Sequence, residues 1–215
     1  MNFLKFYNRC YKNEDLTLKI DTIKNTVRKF KDSSISQLMA LEARGREVYY
    51  SCFNFIIKQI DFKYQKRTKR APKDALNAMI SFGNTLIYQL IASELYRTSL
   101  DVRISYLHSS KRRYENLNYD LAKIFKPIVK DRMIFSLINR KEIDARLHFE
   151  NKNNGVYLNK EGKRIFLNSF MNRINQRLVY GGKELSYYTI IQKEIKNFLN
   201  MIVNDKKYTS YRVKY

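Results

Sequence analysis

The sequence predicts an all-α protein, an irregular bundle of about seven helices with at most one short hairpin or strand. The chain of 215 residues contains only 2 Pro and 6 Gly, too few to punctuate many short strands. Apolar residues recur every three or four positions through several long segments, which is the period of an amphipathic helix. With 44% hydrophobic residues the chain can bury a sizeable core, and we expect one domain over residues 1–215.

Each predicted helix has its own periodic segment. In chain order the segments are 16–30, 33–55, 77–95, 116–139, 159–174 and 190–202, with a Gly-Gly turn at 181–182 before the last. Ser33 and Ser34 are N-cap candidates for the second segment. Pro127 divides or kinks the fourth, because proline removes a backbone donor. Residues 156–158 are the one candidate strand, and Asn159 is a candidate cap for the helix that follows.

Net charge is the strongest compositional signal. The 42 Lys and Arg outnumber the 20 Asp and Glu, which gives a formal charge of +22. Such an imbalance repels itself unless a polyanion neutralises it, and nucleic acid is the usual polyanion. A Lys-rich genome raises the number of lysines but does not explain the shortage of acids. The composition therefore favours nucleic-acid binding, and a basic helical RNA-binding protein stays open as an alternative.

Several protein classes are disfavoured. Cys10 and Cys52 are not spaced for zinc and are expected to be reduced thiols of a cytoplasmic protein. The first residues lack the apolar run of a secretion signal, and no segment approaches the roughly 18 apolar residues of a membrane helix. Residues 181–183 have neither the spacing nor the following helix of a phosphate-binding glycine loop. We expect no membrane partner.

Basic residues cluster in two places that suit phosphate binding. One is the segment 63–73, called the basic loop below, and the other is the second basic cluster, residues 111–113. Asp61 is the one acid in the stretch 61–73. A solvated connector is the alternative, but the density of charge favours phosphate contact. The candidate DNA-binding residues are Arg44, Arg46, Lys63, Lys66, Arg67, Lys69, Arg70, Lys73, Lys111, Arg112 and Arg113.

Histidine and carboxylate are the remaining groups that could carry chemistry. His108 precedes the second basic cluster, and Asp120 follows on the next predicted helix. Imidazole and carboxylate beside a phosphate-binding surface suit a divalent cation that acts as a Lewis acid on a phosphodiester. An imidazole ligand favours Mn²⁺ over Mg²⁺, and both stay open. We interpret His148 as structural or at the surface, and we expect Asn77 and Ser81 to form hydrogen bonds inside the protein.

Four segments are similar, in order and spacing, to four motifs of one family. They are residues 41–50 (LEARGREVYY), 70–83 (RAPKDALNAMISFG), 106–108 (YLH) and 120–132 (DLAKIFKPIVKDR). Together they resemble the CRISPR-associated adaptation integrase, the subunit that inserts spacers into the CRISPR array. The segments cover most of residues 42–139, and the combination is specific although each motif alone is weak.

The resemblance implies a divalent-metal-dependent DNA integrase and endonuclease. It implies that Glu42, His108 and an acid on the later helix, here Asp120, are catalytic residues that bind Mn²⁺ or Mg²⁺. Such enzymes join the 3′-hydroxyl ends of short duplex DNA, the prespacer, to the CRISPR repeat by transesterification. The implied partners are double-stranded DNA, further copies in a dimer or tetramer, and a small ferredoxin-like adaptation subunit.

The sequence departs from the family pattern in two ways. Lys123 stands where the family places its third acidic ligand; Asp120, one helical turn away, is the favoured substitute, and Glu115 is a poorer one. A catalytically impaired DNA-binding scaffold subunit is therefore the alternative to an active enzyme. The family also carries an amino-terminal β domain, for which too few residues precede Glu42, so we expect a single helical catalytic domain without it.

Overall fold

The computed structural model describes residues 2–30, 34–104 and 117–213, which form eight α-helices and two β-hairpins. The helices are α1 (Asn2–Tyr11), α2 (Glu14–Arg28), α3 (Ile35–Ser51), α4 (Ala75–Leu95), α5 (Leu117–Phe125), α6 (Arg132–Asn139), α7 (Lys160–Asn175) and α8 (Tyr187–Asn204). The strands are β1 (Phe149–Lys152), β2 (Gly155–Leu158), β3 (Arg177–Tyr180) and β4 (Lys183–Ser186). The all-α prediction is confirmed, although the described ranges hold two hairpins where at most one was expected.

Side-chain caps fix where several helices begin. At the start of α3 the Ser34 hydroxyl accepts from the Gln37 backbone N–H and the Gln37 side chain accepts from the Ser34 N–H, a capping box. At the start of α7 the Asn159 side chain accepts from the Gly162 N–H at 2.9 Å. Both caps agree with the sequence prediction, and Ser33 lies outside the described residues.

The predicted interruption at Pro127 is a change of helix type. The chain runs from α5 into a π-helical segment, Lys126–Asp131, and then into α6. The Pro127 ring has no N–H to donate, so the regular α-helical ladder ends before it. Burial continues through the segment, because Ile128, Val129, Lys130 and Asp131 are all buried.

Both hairpins turn on pairs of residues with positive φ. Asn153 and Asn154 join β1 to β2 with φ of 48° and 57°, and Gly181 and Gly182 join β3 to β4 with φ of 60° and 76°. Two consecutive positive φ values are the signature of tight two-residue hairpin loops, which favour Asn and Gly. The four strands are only four residues long, which is too short to show the alternating apolar pattern that predicts strands.

Helix α4 lies at the centre of the bundle. It packs against α5, the π-helical segment, α8 and β2, and it buries twelve of its residues. One hydrophobic core extends from Leu4 in α1 to Val213 near the end of the described chain. None of the helices in the described ranges is both long and apolar enough to span a membrane.

Two buried carboxylates attach α8 to its neighbours. Glu94 of α4 accepts hydrogen bonds from Tyr188 at 2.6 Å and from Gln192 at 2.9 Å. Glu194 of α8 accepts from the Tyr211 backbone N–H and from the Tyr208 hydroxyl, which holds the segment after α8 against the core. These bonds satisfy charges that would be costly to bury alone.

Candidate nucleic-acid and metal site

Helices α3 and α5 bring two of the three predicted ligands to one point. Asp120 and Lys123 lie one turn apart on α5 and share a face. The Lys123 ammonium lies 3.1 Å from Glu42 Oε2 and 3.5 Å from Asp120 Oδ1. Arg46 Nη2 lies 3.4 Å from the other oxygen of Glu42. The carboxylates of Glu42 and Asp120 therefore converge on the nitrogen of Lys123.

The ion cluster contributes to the fold because one of its carboxylates is nearly buried. The Asp120 side chain is 8% exposed, whereas Glu42 and Lys123 are each about one-third exposed. A nearly buried carboxylate requires a counterion or hydrogen-bond donors, because removal from water is costly for a charge. Lys123 supplies positive charge from the solvent side of the cluster.

The two carboxylates of the cluster are suitable ligands for a divalent cation, but the position of the Lys123 ammonium beside both of them is not compatible with one. Two carboxylates are hard oxygen ligands of the kind that Mg²⁺ and Mn²⁺ bind. The Lys123 ammonium already lies within ion-pairing distance of both, and its charge opposes a second cation there. His108 lies outside the described residues, and within them no three potential ligands gather closely enough to hold a metal. The residues described therefore do not fit a resident metal ion while Lys123 holds this position.

A second ionic network lies behind the cluster and was not foreseen from the sequence. Tyr49 donates to Asp131 Oδ2 at 2.7 Å, and Lys130 Nζ lies 2.7 Å from Asp131 Oδ1. The Lys130 and Asp131 side chains are 0% and 2% exposed. Burial and the neighbouring Asp131 carboxylate raise the pKa of Tyr49, so its hydroxyl stays a donor. This network fixes α3 to the π-helical segment.

Lys126 is a further unusual cation near this region. Its ammonium donates to the Tyr88 hydroxyl at 2.5 Å and lies 4.3 Å from the centre of that ring. Burial, followed by the repulsion of Lys130, lowers the pKa of Lys126 to about 7, with smaller lowering effects from Lys123 and Arg46. Asp131 acts in the opposite direction. Lys126 is therefore partly neutral at neutral pH.

Three cations of the basic loop donate hydrogen bonds to other parts of the protein, and one of them, Lys73, is nevertheless exposed. Lys63 donates to two backbone carbonyls at 2.9 and 3.0 Å. Arg67 donates to Asn77 Oδ1 at 2.8 Å and to Ser81 Oγ at 2.9 Å, while Lys73 donates to a carbonyl in the first hairpin turn at 2.7 Å. These three cations hold the loop in place, and their contact with phosphate stays a prediction.

The other candidate DNA-binding residues that the structure describes are exposed. They are Arg44, Arg46, Lys66, Lys69 and Arg70. Lys111, Arg112 and Arg113 lie outside the described residues. Among them the side chains of Arg44, Lys66 and Arg70 form no ion pair or hydrogen bond with other described residues, so these three can reach a phosphate backbone without breaking internal bonds.

Two smaller predictions are confirmed. His148 is structural, because its Nδ1 accepts from the Asp144 backbone N–H at 2.8 Å. Asn77 forms hydrogen bonds inside the protein with the Asp74 side chain and the backbone of the basic loop. Asn77 thereby fixes the basic loop to the start of α4.

Comparison with known proteins gives consistent results. The family described as "CRISPR associated protein Cas1" matches residues 1–172. A CRISPR-associated endonuclease Cas1 from Thermodesulfovibrio yellowstonii is 36% identical over 208 residues, which are 96% of this chain and 62% of that protein. The structure of a Cas1 protein from Thermotoga maritima superposes with a TM-score of 0.81 and 34% identity, over 89% of this chain and 60% of the other.

A more distant structure shares the fold alone. It is a casposase bound to its integration product, with a TM-score of 0.78 and 22% identity, over 97% of this chain and 60% of the other. The present chain thus spans about six-tenths of the length of these relatives. Because the family match covers most of the chain and the fold agrees, the chain belongs to the CRISPR-associated protein Cas1 family.

Proposed function

We propose that this chain is a DNA integrase and endonuclease of CRISPR spacer acquisition, which joins the 3′-hydroxyl ends of short duplex DNA to a CRISPR repeat. Family membership and the endonuclease names of its relatives support the class of reaction. The observation that carries the proposal is the convergence of Glu42 and Asp120, from two helices, beside the exposed Arg46. The +22 charge supports double-stranded DNA as the substrate.

We propose in addition that the activity depends on a divalent metal ion, which requires Lys123 to move. Glu42, His108 and Asp120 are the proposed catalytic ligands of Mn²⁺ or Mg²⁺. Lys123 must leave both carboxylates before a divalent cation can take its place, because the ammonium is the present counterion of the pair. Exposure of about one-third gives the Lys123 side chain a path to solvent.

The second candidate function is a catalytically impaired DNA-binding subunit. It is favoured by the same ion cluster, in which Lys123 neutralises the carboxylates without any metal. In this role the chain grips prespacer and repeat DNA and supports assembly with further copies or with a small ferredoxin-like subunit. Both proposals predict a particle larger than one chain, which light scattering with and without duplex DNA measures.

One assay separates the two candidates. Wild type, Asp120→Asn, His108→Ala and Lys123→Glu are incubated with a short duplex and a repeat-bearing plasmid, in Mn²⁺ or EDTA. An active integrase joins the DNA in Mn²⁺ only and loses joining in Asp120→Asn and His108→Ala, while duplex affinity is kept. Joining by Lys123→Glu alone indicates that the lysine blocks the metal. Failure of all four proteins to join DNA that they still bind refutes the enzyme and favours the scaffold.

Lys24→Glu is the matched control for Lys123→Glu. Lys24 also pairs with an aspartate three residues earlier, Asp21, but both side chains are more exposed than the corresponding pair on α5. The two variants change the net charge equally. A gain of joining in Lys123→Glu that Lys24→Glu does not share is therefore local to the Glu42–Asp120 cluster.

A further inference from the structure

Helix α3 carries Glu42, yet little apolar packing holds this helix in place. Of its side chains that the structure describes, Tyr50 alone is buried, and the helix packs chiefly against α2. The helix ends at Ser51 and leads into the buried Cys52 and Phe53, so the core holds that end. Because hydrophobic packing is non-directional, these contacts do not by themselves fix the rotation of α3 about its axis.

The Tyr49 hydroxyl supplies a directed contact between α3 and the π-helical segment. It donates to Asp131 Oδ2 at 2.7 Å, which is a normal length for a bond between two oxygens. Hydrogen bonds weaken steeply when the angle at the hydrogen falls below about 120°. The bond therefore tolerates only a small rotation of the helix that carries the tyrosine.

The acceptor of this bond is held in place by burial and by a counterion. The Asp131 side chain is 2% exposed, and Lys130 Nζ lies 2.7 Å from Asp131 Oδ1. The Lys130 stem passes close to Gly83 of the central helix α4, where a Cβ would lie 2.7 Å from Lys130 Cγ. Through these two neighbours the Tyr49 hydroxyl is connected to the centre of the bundle.

Glu42 lies on the same face of α3 as Tyr49. The two are seven residues apart, which is within about 20° of two full turns of an α-helix. A rotation that the Tyr49 bond prevents is thus also prevented at Glu42, roughly 10 Å along the axis. At a radius of about 6 Å, a rotation of about 20° moves a carboxylate by about 2 Å. Misplacement by about 1 Å can lower a catalysed rate about a hundredfold.

We propose that Tyr49 is a positioning residue, whose bond to Asp131 sets the rotation of α3 and thereby the position of Glu42. Glu42 is held in this way opposite α5, the helix that carries Asp120 and Lys123. The role rests on the proposed function for the reaction that it affects, but the alignment itself does not depend on catalysis. The bond is also independent of Lys123, so the alignment persists when that side chain leaves the carboxylates.

Kinetics of DNA joining test this role with Tyr49→Phe, which removes the hydroxyl and keeps the ring. At a temperature where the variant is folded, kcat should fall by about tenfold and KM for the duplex should stay nearly unchanged, because the displaced group acts in the reaction step. Tyr188→Phe is the matched control, since Tyr188 donates to the buried carboxylate of Glu94 at 2.6 Å between α4 and α8. It removes the same kind of bond and should keep kcat.

A second measurement reports the position of α3 without catalysis and without DNA. Spin labels are attached to cysteines that replace the exposed Arg44 of α3 and Lys152 of β1, in a chain with Cys10→Ser; the second native cysteine is buried. Double electron–electron resonance gives the distance between the labels. This distance should shift or broaden by about 2 Å in Tyr49→Phe and stay unchanged in Tyr188→Phe.

The two measurements together distinguish positioning from general stability. A fall in kcat confined to Tyr49→Phe, together with the change in label distance, supports the positioning role. An unchanged label distance overturns it, as does an unchanged kcat or an equal fall of kcat in the control. If wild type joins no DNA, the proposed integrase fails, and the label distance by itself decides whether Tyr49 positions α3.

Discussion

Lys123 Nζ lies 3.1 Å from Glu42 Oε2 and 3.5 Å from Asp120 Oδ1, so one ammonium joins two carboxylates that belong to different helices. Without a cation between them, two adjacent carboxylates repel each other and one tends to bind a proton. Lys123 removes that conflict with a charge that the chain itself carries. The cluster is therefore complete as a structural element before any ligand arrives.

The first prediction concerns metal binding to this cluster. Wild type should show little thermal stabilisation by Mn²⁺, because Lys123 competes for the same carboxylates. Lys123→Glu should be less stable in EDTA, since three carboxylates then meet, and should gain several degrees of Tm when Mn²⁺ is added. Differential scanning fluorimetry measures both effects. Equal Mn²⁺ stabilisation of wild type, Lys123→Glu and Lys24→Glu would contradict the prediction.

The second prediction distinguishes the cations of the basic loop that stabilise the fold from those that are proposed to bind DNA. Replacing Lys66 and Arg70 with alanine should lower duplex affinity and reduce the slope of log affinity against log salt by about 0.9 for each phosphate that is no longer neutralised. The melting temperature should change little. Arg67→Ala should instead lower the melting temperature, because Arg67 bonds to Asn77 and Ser81. If both variants affected only binding, or only stability, the division would be wrong.

The third prediction concerns the buried network behind the cluster. Tyr49→Phe removes the donor that bonds to Asp131 Oδ2 at 2.7 Å and leaves the ring in place. Leaving a buried charged acceptor without that donor should lower the free energy of unfolding by about 1–3 kcal/mol. Urea unfolding measures the loss. Tyr11→Phe, at a tyrosine that is 40% exposed, is the control and should be close to neutral.

The fourth prediction is a pH dependence of stability that comes from Lys126. Burial lowers the pKa of Lys126 from 10.5 to about 7. Between these values the unfolded chain holds a proton on Lys126 that the folded chain has released, so the unfolded state binds more protons. The free energy of unfolding therefore rises with pH through this window. The destabilising contribution of Lys126 is largest below pH 7, where the folded chain must keep the buried ammonium charged.

Lys126→Met tests this sign. Wild type should gain stability between about pH 7 and pH 9, and the variant should gain less, because the titrating group is gone. Urea unfolding at both pH values gives the difference. Parallel pH profiles for the two proteins would show that Lys126 does not titrate in this window.

The helices were predictable from the sequence because each has a local cause. Apolar spacing and caps such as Ser34 and Asn159 act within a few residues, so the information that predicts each helix is present in its own segment of the sequence. The hairpin β3–β4 was missed although Gly181 and Gly182 were recognised as a turn. Its strands are mostly exposed and too short to show a period.

The members of the candidate site stay a prediction from the sequence, and their geometry could not be predicted from it. The spacing of Asp120 and Lys123 placed them on one face of a helix, but the position of Glu42 opposite them depends on how α3 packs against α5. The inward bonds of Lys63 and Arg67 likewise depend on tertiary neighbours. A count of charges along the basic loop cannot tell a structural cation from one that faces solvent.

The π-helical segment between α5 and α6 sets a limit on how this chain can vary. In an α-helix each residue advances the chain by about 100° around the axis. Loss of one residue from Lys126–Asp131 would turn α6 by about that angle relative to Lys123 and the rest of α5. The buried face of α6, which includes Met133 and Leu137, would then leave the core. Insertions and deletions should therefore be excluded from this turn among functional relatives.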